Sequence, residues 1–269
     1  MKGIIGAIAG DVIGSAYEFN PTRDYTFDLF TPKSTFTDDT VLTMANAIWL
    51  LEDEKHEPEA LVKIMLDLCR RYPDRGYGGR FANWIYDGDP QPYDSFGNGS
   101  AMRVSPVGYY AKSLDEALAL AKVSAEVTHN HPEGIKGAQA TAAAIFLARQ
   151  GENKWEIRDY IEKTFGYNLS RTLDEIRPTF TFDETCQRTV PEAIICYLEG
   201  KDYEDVVRLA VTLAGDADTL AAIAGSIASA TRDVTSEVTQ RVISLLSDEF
   251  CATLLRFNEL VAKREQEAQ

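Results

Sequence analysis

Three glycines on one face of the first predicted helix limit what this chain can fold into. Apolar residues recur at helical spacing over residues 3–17, and Gly6, Gly10 and Gly14 fall four positions apart within that stretch. Each glycine costs a helix roughly 1 kcal/mol relative to alanine, so three on one face need a compensating contact. We therefore expect another helix or a ligand to approach this face very closely. The spacing is not that of a dinucleotide-binding loop, and no strand is available before it.

Helical periodicity dominates the rest of the chain as well. We predict further helices over approximately 40–51, 57–71, 113–127, 202–213, 220–230, 234–247 and 249–263, with others beginning near 101, 132 and 189. There is no convincing set of strands, no internal repeat and no low-complexity linker. The sequence therefore predicts an all-α fold, a single compact orthogonal multi-helix domain of ten or more helices over residues 1–269.

Two short acidic stretches, far apart in the chain, have the same chemistry. Thr37–Thr40 and Gly215–Thr219 each combine two aspartates with threonine and open an apolar helix. Carboxylates can share a pocket as charged groups if cations lie between them, and oxygen ligands suit Mg²⁺ or Mn²⁺. This pattern favours a two-metal centre where the two helix starts meet. The alternative is that both stretches simply cap their helices, because threonine and aspartate are common in that position.

The charge and cysteine content exclude several other classes of protein. A net charge of −15 argues against general binding to nucleic acids or to membrane surfaces, which requires basic patches. The four cysteines are scattered with no CxxC pair, which is typical of reduced thiols in a cytoplasmic protein. The first residues do not resemble a signal peptide, and no apolar run approaches the roughly 18 residues of a membrane span.

Two further motifs are candidates for ligand binding. The turn Gly97–Ser100 exposes backbone N–H groups and, if a helix starts there, it can hold a phosphate; the alternative is an ordinary loop-to-helix turn. His129 and His131 precede Pro132, which suits the first position of a helix. Either histidine can bind phosphate or ribose or ligate a metal, and a capping role is the alternative for each. Asp11 is interpreted as a solvated or capping residue.

Taken together, these segments resemble the ADP-ribosylglycohydrolases, a family that includes the dinitrogen reductase-activating glycohydrolases. The matching segments cover nearly the whole chain and are GAIAGDVIGSAYEF, FTDDTVLTMA, GNGSAMRVSPVG, THNHPEGIKGA and LAGDADTLAAIAGSIA. The resemblance implies an all-helical domain with a central binuclear Mg²⁺ or Mn²⁺ centre. It also implies a hydrolase that cleaves the N- or O-glycosidic bond between ADP-ribose and a modified group and releases ADP-ribose.

The same resemblance assigns roles to individual residues. The implied ligands of the two Mg²⁺ or Mn²⁺ ions are Thr37, Asp38, Asp39, Asp216, Asp218 and Thr219. The implied contacts to ADP-ribose come from Gly97, Asn98, Gly99, Ser100, Ala101, Met102 and His129. Glu18 matches a mobile glutamate that ligates metal or transfers a proton, and the catalytic proton is assigned to Glu18, Asp38 or Asp39 without a choice among them. His131 has no counterpart, and residues 151–188, where we looked for adenine contacts and specificity, match nothing transferable.

Two other functions are alternatives to this hydrolase. Carboxylate pairs also serve phosphoryl transfer, so a different two-metal phosphoester hydrolase is one alternative. A non-catalytic ADP-ribose-binding module is the other, although the intact acidic motifs speak against it. We expect an ADP-ribosylated protein or small molecule as the partner, and a monomeric protein.

Overall fold

Helices account for the regular structure of this protein. The structure is a computed structural model that describes residues 1–267, and within that range the chain forms no strand, only an isolated antiparallel bridge between Gly97 and Thr185. The all-α prediction is confirmed. The fifteen helices are α1 Ile5–Gly14, α2 Asp38–Glu52, α3 Pro58–Arg71, α4 Gly79–Ile85, α5 Gly99–Met102, α6 Ser105–Tyr110, α7 Leu114–Glu126, α8 Pro132–Arg149, α9 Lys154–Phe165, α10 Leu173–Ile176, α11 Cys186–Glu199, α12 Tyr203–Val211, α13 Ala217–Thr231, α14 Ser236–Ile243 and α15 Asp248–Glu267.

Helices α1 and α13 form the closest pair in the core. Every residue of α1 is buried, and its glycine face lies against the backbone of α13. A methyl group on Gly10 would lie 2.1 Å from the carbonyl oxygen of Ala221, and one on Gly14 would lie 2.4 Å from the Cα of Asp218. No side chain fits at these distances, so the predicted close approach is confirmed, and the partner is a helix.

The start of helix α11 differs from the prediction. We predicted a helix that begins near 189, but α11 begins at Cys186 and therefore contains Pro191 in its interior. The earlier start follows from long-range pairing: Cys186 N–H donates to the carbonyl of Phe96, and Asn98 N–H donates to the carbonyl of Glu184. These two bonds hold the first turn of α11 against the loop that precedes α5.

The helix expected after the Gly97–Ser100 turn is short. It ends at Met102 as α5, and a separate helix, α6, begins at Ser105. Pro106, in the second position of α6, has no N–H and its ring excludes a continuous helix across the preceding turn. The turn therefore precedes a helix of a single turn, and its binding of phosphate stays a prediction.

Two further properties concern the cysteines and the possibility of membrane-spanning helices. Cys69, Cys186, Cys196 and Cys251 are all free thiols. None of the helices in residues 1–267 combines the length and the apolar character that a membrane span requires.

Candidate active site

The two acidic stretches meet at the N-termini of α2 and α13. Thr37 caps α2, and Asp216 occupies the corresponding position before α13. The hydroxyl of Thr219 donates to Oδ2 of Asp39 across 3.2 Å, which joins the two helix starts directly. The predicted meeting of the two stretches is therefore confirmed, and it depends on the close contact between α1, α2 and α13.

A cluster of carboxylates occupies this junction. One oxygen from each of Glu18, Asp216 and Asp218 lies within 4.8 Å of the other two. Burial, followed by the charges of neighbouring carboxylates, raises the pKa of Asp38, Asp39 and Asp218 well above its ordinary value. The protein alone therefore opposes ionisation of these groups, so each of them either holds a proton or needs a cation close by.

The donor set fits hard divalent cations. Oδ1 of Asp39 is buried and has no hydrogen-bond partner among the described residues, which leaves a carboxylate oxygen free. Thr37 and Thr219 each donate their hydroxyl proton to an aspartate, so lone pairs remain on both oxygens. Oxygen ligands of this kind are the ones that Mg²⁺ and Mn²⁺ prefer. The role of each residue as a ligand stays a prediction.

Glu18 lies beyond the end of α1, where it faces this cluster. Helix α1 ends at Gly14, so Glu18 does not share a helical face with Asp11, as a longer helix would have required. Burial, followed by the charges of Asp216 and Asp11, raises the pKa of Glu18 to about 7. Glu18 is therefore the carboxylate of this group that can exchange a proton near neutral pH.

Asp11 is a residue whose importance the sequence did not reveal. It is completely buried and accepts hydrogen bonds from the backbone and hydroxyl groups of both Thr37 and Thr40. The interpretation of Asp11 as solvated is wrong, and its capping role acts on another helix, α2. The available signal was a single carboxylate inside a helix that is otherwise apolar. Asp11 fixes the turn that carries Asp38 and Asp39.

A cavity of ≈ 430 Å³ opens over the carboxylates. Most of the predicted site residues line it, namely Glu18, Asp38, Asp39, Gly97, Asn98, Gly99, Met102, His129, Asp216, Asp218 and Thr219. Three predicted residues lie outside the cavity wall. Thr37 faces Asp11, Ser100 donates to the carbonyl of Gly134, and Ala101 is buried in the core. Arg80, Tyr93, Arg103, Phe182 and Glu184 also line the cavity, and no motif drew attention to them.

The Gly97–Ser100 turn connects the cavity wall to the carboxylates. Asn98 Nδ2 donates to Oδ2 of Asp216 at 2.7 Å and to the hydroxyl of Thr189 at 3.0 Å, so this side chain orients a carboxylate. Gly99 faces the imidazole of His129: a methyl group on Gly99 would lie 3.0 Å from Nε2 of that ring. The turn therefore joins the acidic cluster to the histidine at one wall of the cavity.

His131, the second histidine of this region, has a structural role. Its Nδ1 accepts from the backbone N–H of Glu133 at 3.1 Å, so His131 is the N-cap of α8. The capping alternative considered for this residue is confirmed. His129 instead lies at the cavity, where 5% of its surface is exposed.

Comparisons with known proteins agree with this architecture. A sequence model of the ADP-ribosylglycohydrolase family matches residues 1–269. Human ADP-ribosylhydrolase ARH3 is 26% identical over an alignment that covers 84% of this chain and 83% of that protein. ADP-ribosylarginine hydrolase Tri1 from Pseudomonas putida is 25% identical, with 84% of this chain and 68% of that protein covered. A solved structure of an ADP-ribosylglycohydrolase-related protein complex has the same fold, with a TM-score of 0.74, 24% identity and 96% of both chains covered. The chain therefore belongs to the ADP-ribosylglycohydrolase family, whose members are hydrolases that act on ADP-ribose linkages.

Proposed function

We propose that this protein is a cation-dependent hydrolase that releases ADP-ribose from a modified protein side chain or small molecule. The observation that carries the proposal is that one cavity is lined by buried carboxylates and by the Gly97–Ser100 turn with His129. The carboxylates suit hard cations, and the turn with its histidine suits an anionic diphosphate. A substrate with a ribose next to a diphosphate matches this combination.

Two Mg²⁺ or Mn²⁺ ions are the proposed cofactors. The proposed ligands are Thr37, Asp38, Asp39, Asp216, Asp218 and Thr219. When bound, such cations neutralise the carboxylates and lower the pKa of a water molecule near them. The buried oxygen of Asp39 without a partner supports this assignment.

The protein's own side chains stabilise charge, hold the proton and keep the site oriented. Departure of the modified group leaves positive charge on the anomeric carbon, and a carboxylate at the cavity that is not a cation ligand, such as Glu18, stabilises that charge. Glu18, which lies beyond α1 and faces the cluster, is our first candidate for holding the transferred proton, ahead of Asp38 and Asp39. Asn98 holds Asp216 in its orientation, and Asp11 holds the turn of Asp38 and Asp39. These fixed contacts hold the cavity in its reactive geometry before the substrate arrives.

A release assay tests the proposal. ADP-ribose linked through arginine, serine and a nucleobase is offered with Mg²⁺, with Mn²⁺ or with a chelator, and the products are separated by chromatography. The arginine linkage comes first because one relative is an ADP-ribosylarginine hydrolase. We expect release of ADP-ribose from one linkage and none in chelator. Release of AMP or phosphate would favour the phosphoester hydrolase, and tight ADP-ribose binding without release from any linkage would favour the binding module.

Three broader expectations belong to the same proposal. We propose one domain over residues 1–269, because the first core helix packs against a helix near the other end of the chain. We also propose a monomeric protein and a cytoplasmic location, the latter supported by four free thiols. Light scattering after size exclusion tests the monomer, and a mass near twice 29.9 kDa would contradict it.

A further inference from the structure

His129 presents one ring nitrogen to the cavity wall. A methyl group on Gly99 would lie 3.0 Å from Nε2 of His129, and one on Gly97 would lie 3.6 Å from the same atom. Nε2 therefore faces the turn that lines the cavity. Whether this nitrogen donates or accepts a hydrogen bond depends on where the single proton of a neutral imidazole is located.

The opposite ring nitrogen is engaged by a chain of buried hydrogen bonds. Nδ1 of His129 lies 2.7 Å from Oγ1 of Thr128, and Nη2 of Arg103 donates to the same Oγ1 at 2.9 Å. A guanidinium can only donate, so the Thr128 oxygen accepts from Arg103. The Thr128 hydroxyl has one proton, and within residues 1–267 Nδ1 is the acceptor in contact with it. Donation from this hydroxyl to Nδ1 satisfies its proton, and that arrangement leaves the imidazole proton on Nε2.

The electrostatic surroundings favour the neutral form of this imidazole. Burial, followed by the positive charges of Arg103 and Arg80, lowers the pKa of His129 well below its ordinary value. The ring of Tyr93 is the other titratable group that faces it, with 6.0 Å between ring centroids. A neutral ring with a fixed tautomer has one donor, and that donor points at the cavity.

The burial of Arg103 indicates that this residue has a role in orienting Thr128 and His129. Arg103 is completely buried, and its Nε and Nη1 have no hydrogen-bond partner among the described residues. Its Nη2 donates to Thr128 and, at 2.6 Å, to the carbonyl of Ser124. A buried cation with unsatisfied donors is costly. Its contact with Thr128 offers a functional reason for that cost.

We propose that Arg103 and Thr128 are positioning residues that fix His129 with its proton on Nε2, so that His129 donates a hydrogen bond to an oxygen of the bound substrate. In one respect this inference rests on the proposed function, because in ADP-ribose the acceptor is a diphosphate oxygen. The arrangement also excludes two other roles for His129. It cannot accept a proton at the cavity, and it cannot ligate a cation there, since both need an unprotonated Nε2.

Nitrogen NMR of histidine tests the tautomer without any substrate. The chain has three histidines, so a protein labelled with ¹⁵N-histidine gives few signals, and replacing His56 or His131 assigns them. We expect His129 to show an unprotonated Nδ1 and a protonated Nε2 at every pH from about 5.5 to 8. A proton on Nδ1, or an imidazolium at pH 7, would overturn the inference.

Matched variants test the two positioning residues. Thr128→Val removes the hydroxyl at nearly constant shape, and we expect it to give a mixture of tautomers, whereas Thr128→Ser restores the wild-type spectrum. Arg103→Met, which removes the donor to Thr128, is expected to give the same mixture. A wild-type spectrum in folded Thr128→Val would overturn the inference, and this outcome is measurable even if Arg103→Met does not fold.

Calorimetric titration with ADP-ribose tests the role of the donor. We expect Thr128→Val to weaken ADP-ribose binding by the inverse of the fraction of His129 that keeps its proton on Nε2, about twofold for an even mixture, and Thr128→Ser to bind as wild type. Unchanged affinity in Thr128→Val, with a changed spectrum, would overturn the donor role. If wild-type protein does not bind ADP-ribose, the proposed function fails, while the spectra still decide the tautomer.

Discussion

Replacing Gly10 with alanine tests the contact on which the core depends. The new methyl group would lie 2.1 Å from the carbonyl oxygen of Ala221 and 2.7 Å from the backbone nitrogen of Ala222. These are backbone atoms, so no side chain can rotate to make room. A carbon and an oxygen in contact are normally about 3.3 Å apart, so α1 and α13 must separate by about 1 Å at this point.

The expected loss of stability follows from that separation. A gap of 0.5–1 Å forfeits roughly a quarter to a half of the dispersion energy between facing atoms. Overpacking of this kind costs about 3 kcal/mol, while the better helix propensity of alanine returns about 1 kcal/mol. We expect a net loss of about 2 kcal/mol, which for a protein of this size lowers Tm by about 5 °C.

Thermal unfolding followed by circular dichroism measures the effect, with Gly79→Ala as the matched control. Gly79 also lies in a helix, α4, but a methyl group there meets no atom within 4 Å. We expect the control to keep or slightly raise the wild-type Tm. If Gly10→Ala and Gly79→Ala unfold at the same temperature, the glycine face does not set the distance between α1 and α13.

Three further predictions concern the cavity. Asp39→Asn is expected to reduce turnover by orders of magnitude, because it removes a charge from the carboxylate cluster, and wild-type turnover at equal cation loading would contradict that. In chelator, Tm is expected to fall as pH rises from 5 to 8. The folded protein raises the pKa of Asp11 to about 6 and that of Glu18 to about 7, so the stability that their protonated forms contribute is lost through that range. Added Mn²⁺ is expected to make Tm less dependent on pH. A Tm that is constant with pH in chelator would refute this. Gly99→Ala is expected to weaken ADP-ribose binding about tenfold with little change in Tm, because its methyl group crowds the His129 imidazole at the cavity wall; equal affinity would show that the turn does not contact the ligand.

The acidic motifs and the glycine spacing predicted the arrangement of the core correctly. Helical periodicity indicated the all-α class, because an amphipathic helix leaves a pattern that is local in the sequence. The paired aspartates at the starts of α2 and α13 indicated that these two helix starts meet. Carboxylates that lie close together need a cation between them. These inferences succeeded because each starts from a pattern that is local in the sequence.

Other features depend on contacts between distant segments and could not be predicted. The start of α11 is set by bonds to the loop around Phe96, and nothing local to Cys186 indicates them. Asp11 appeared to be an ordinary helix residue, because its four donors belong to another helix. Arg103 is likewise understood only once Thr128 and His129 are seen beside it.

The pairing of α1 with α13 also governs the order of events during synthesis. The hydroxyl of Ser229 donates to the carbonyl of Gly3, and these two residues are separated by 226 positions. Helix α1 is translated about 200 residues before α13, so its glycine face lacks this partner until α13 has been made. Contacts of such long range close slowly, because the chain entropy of a large loop is lost before any packing is gained. A nascent chain that stops before α13 therefore carries Asp38 and Asp39 without the carboxylates that complete their cluster.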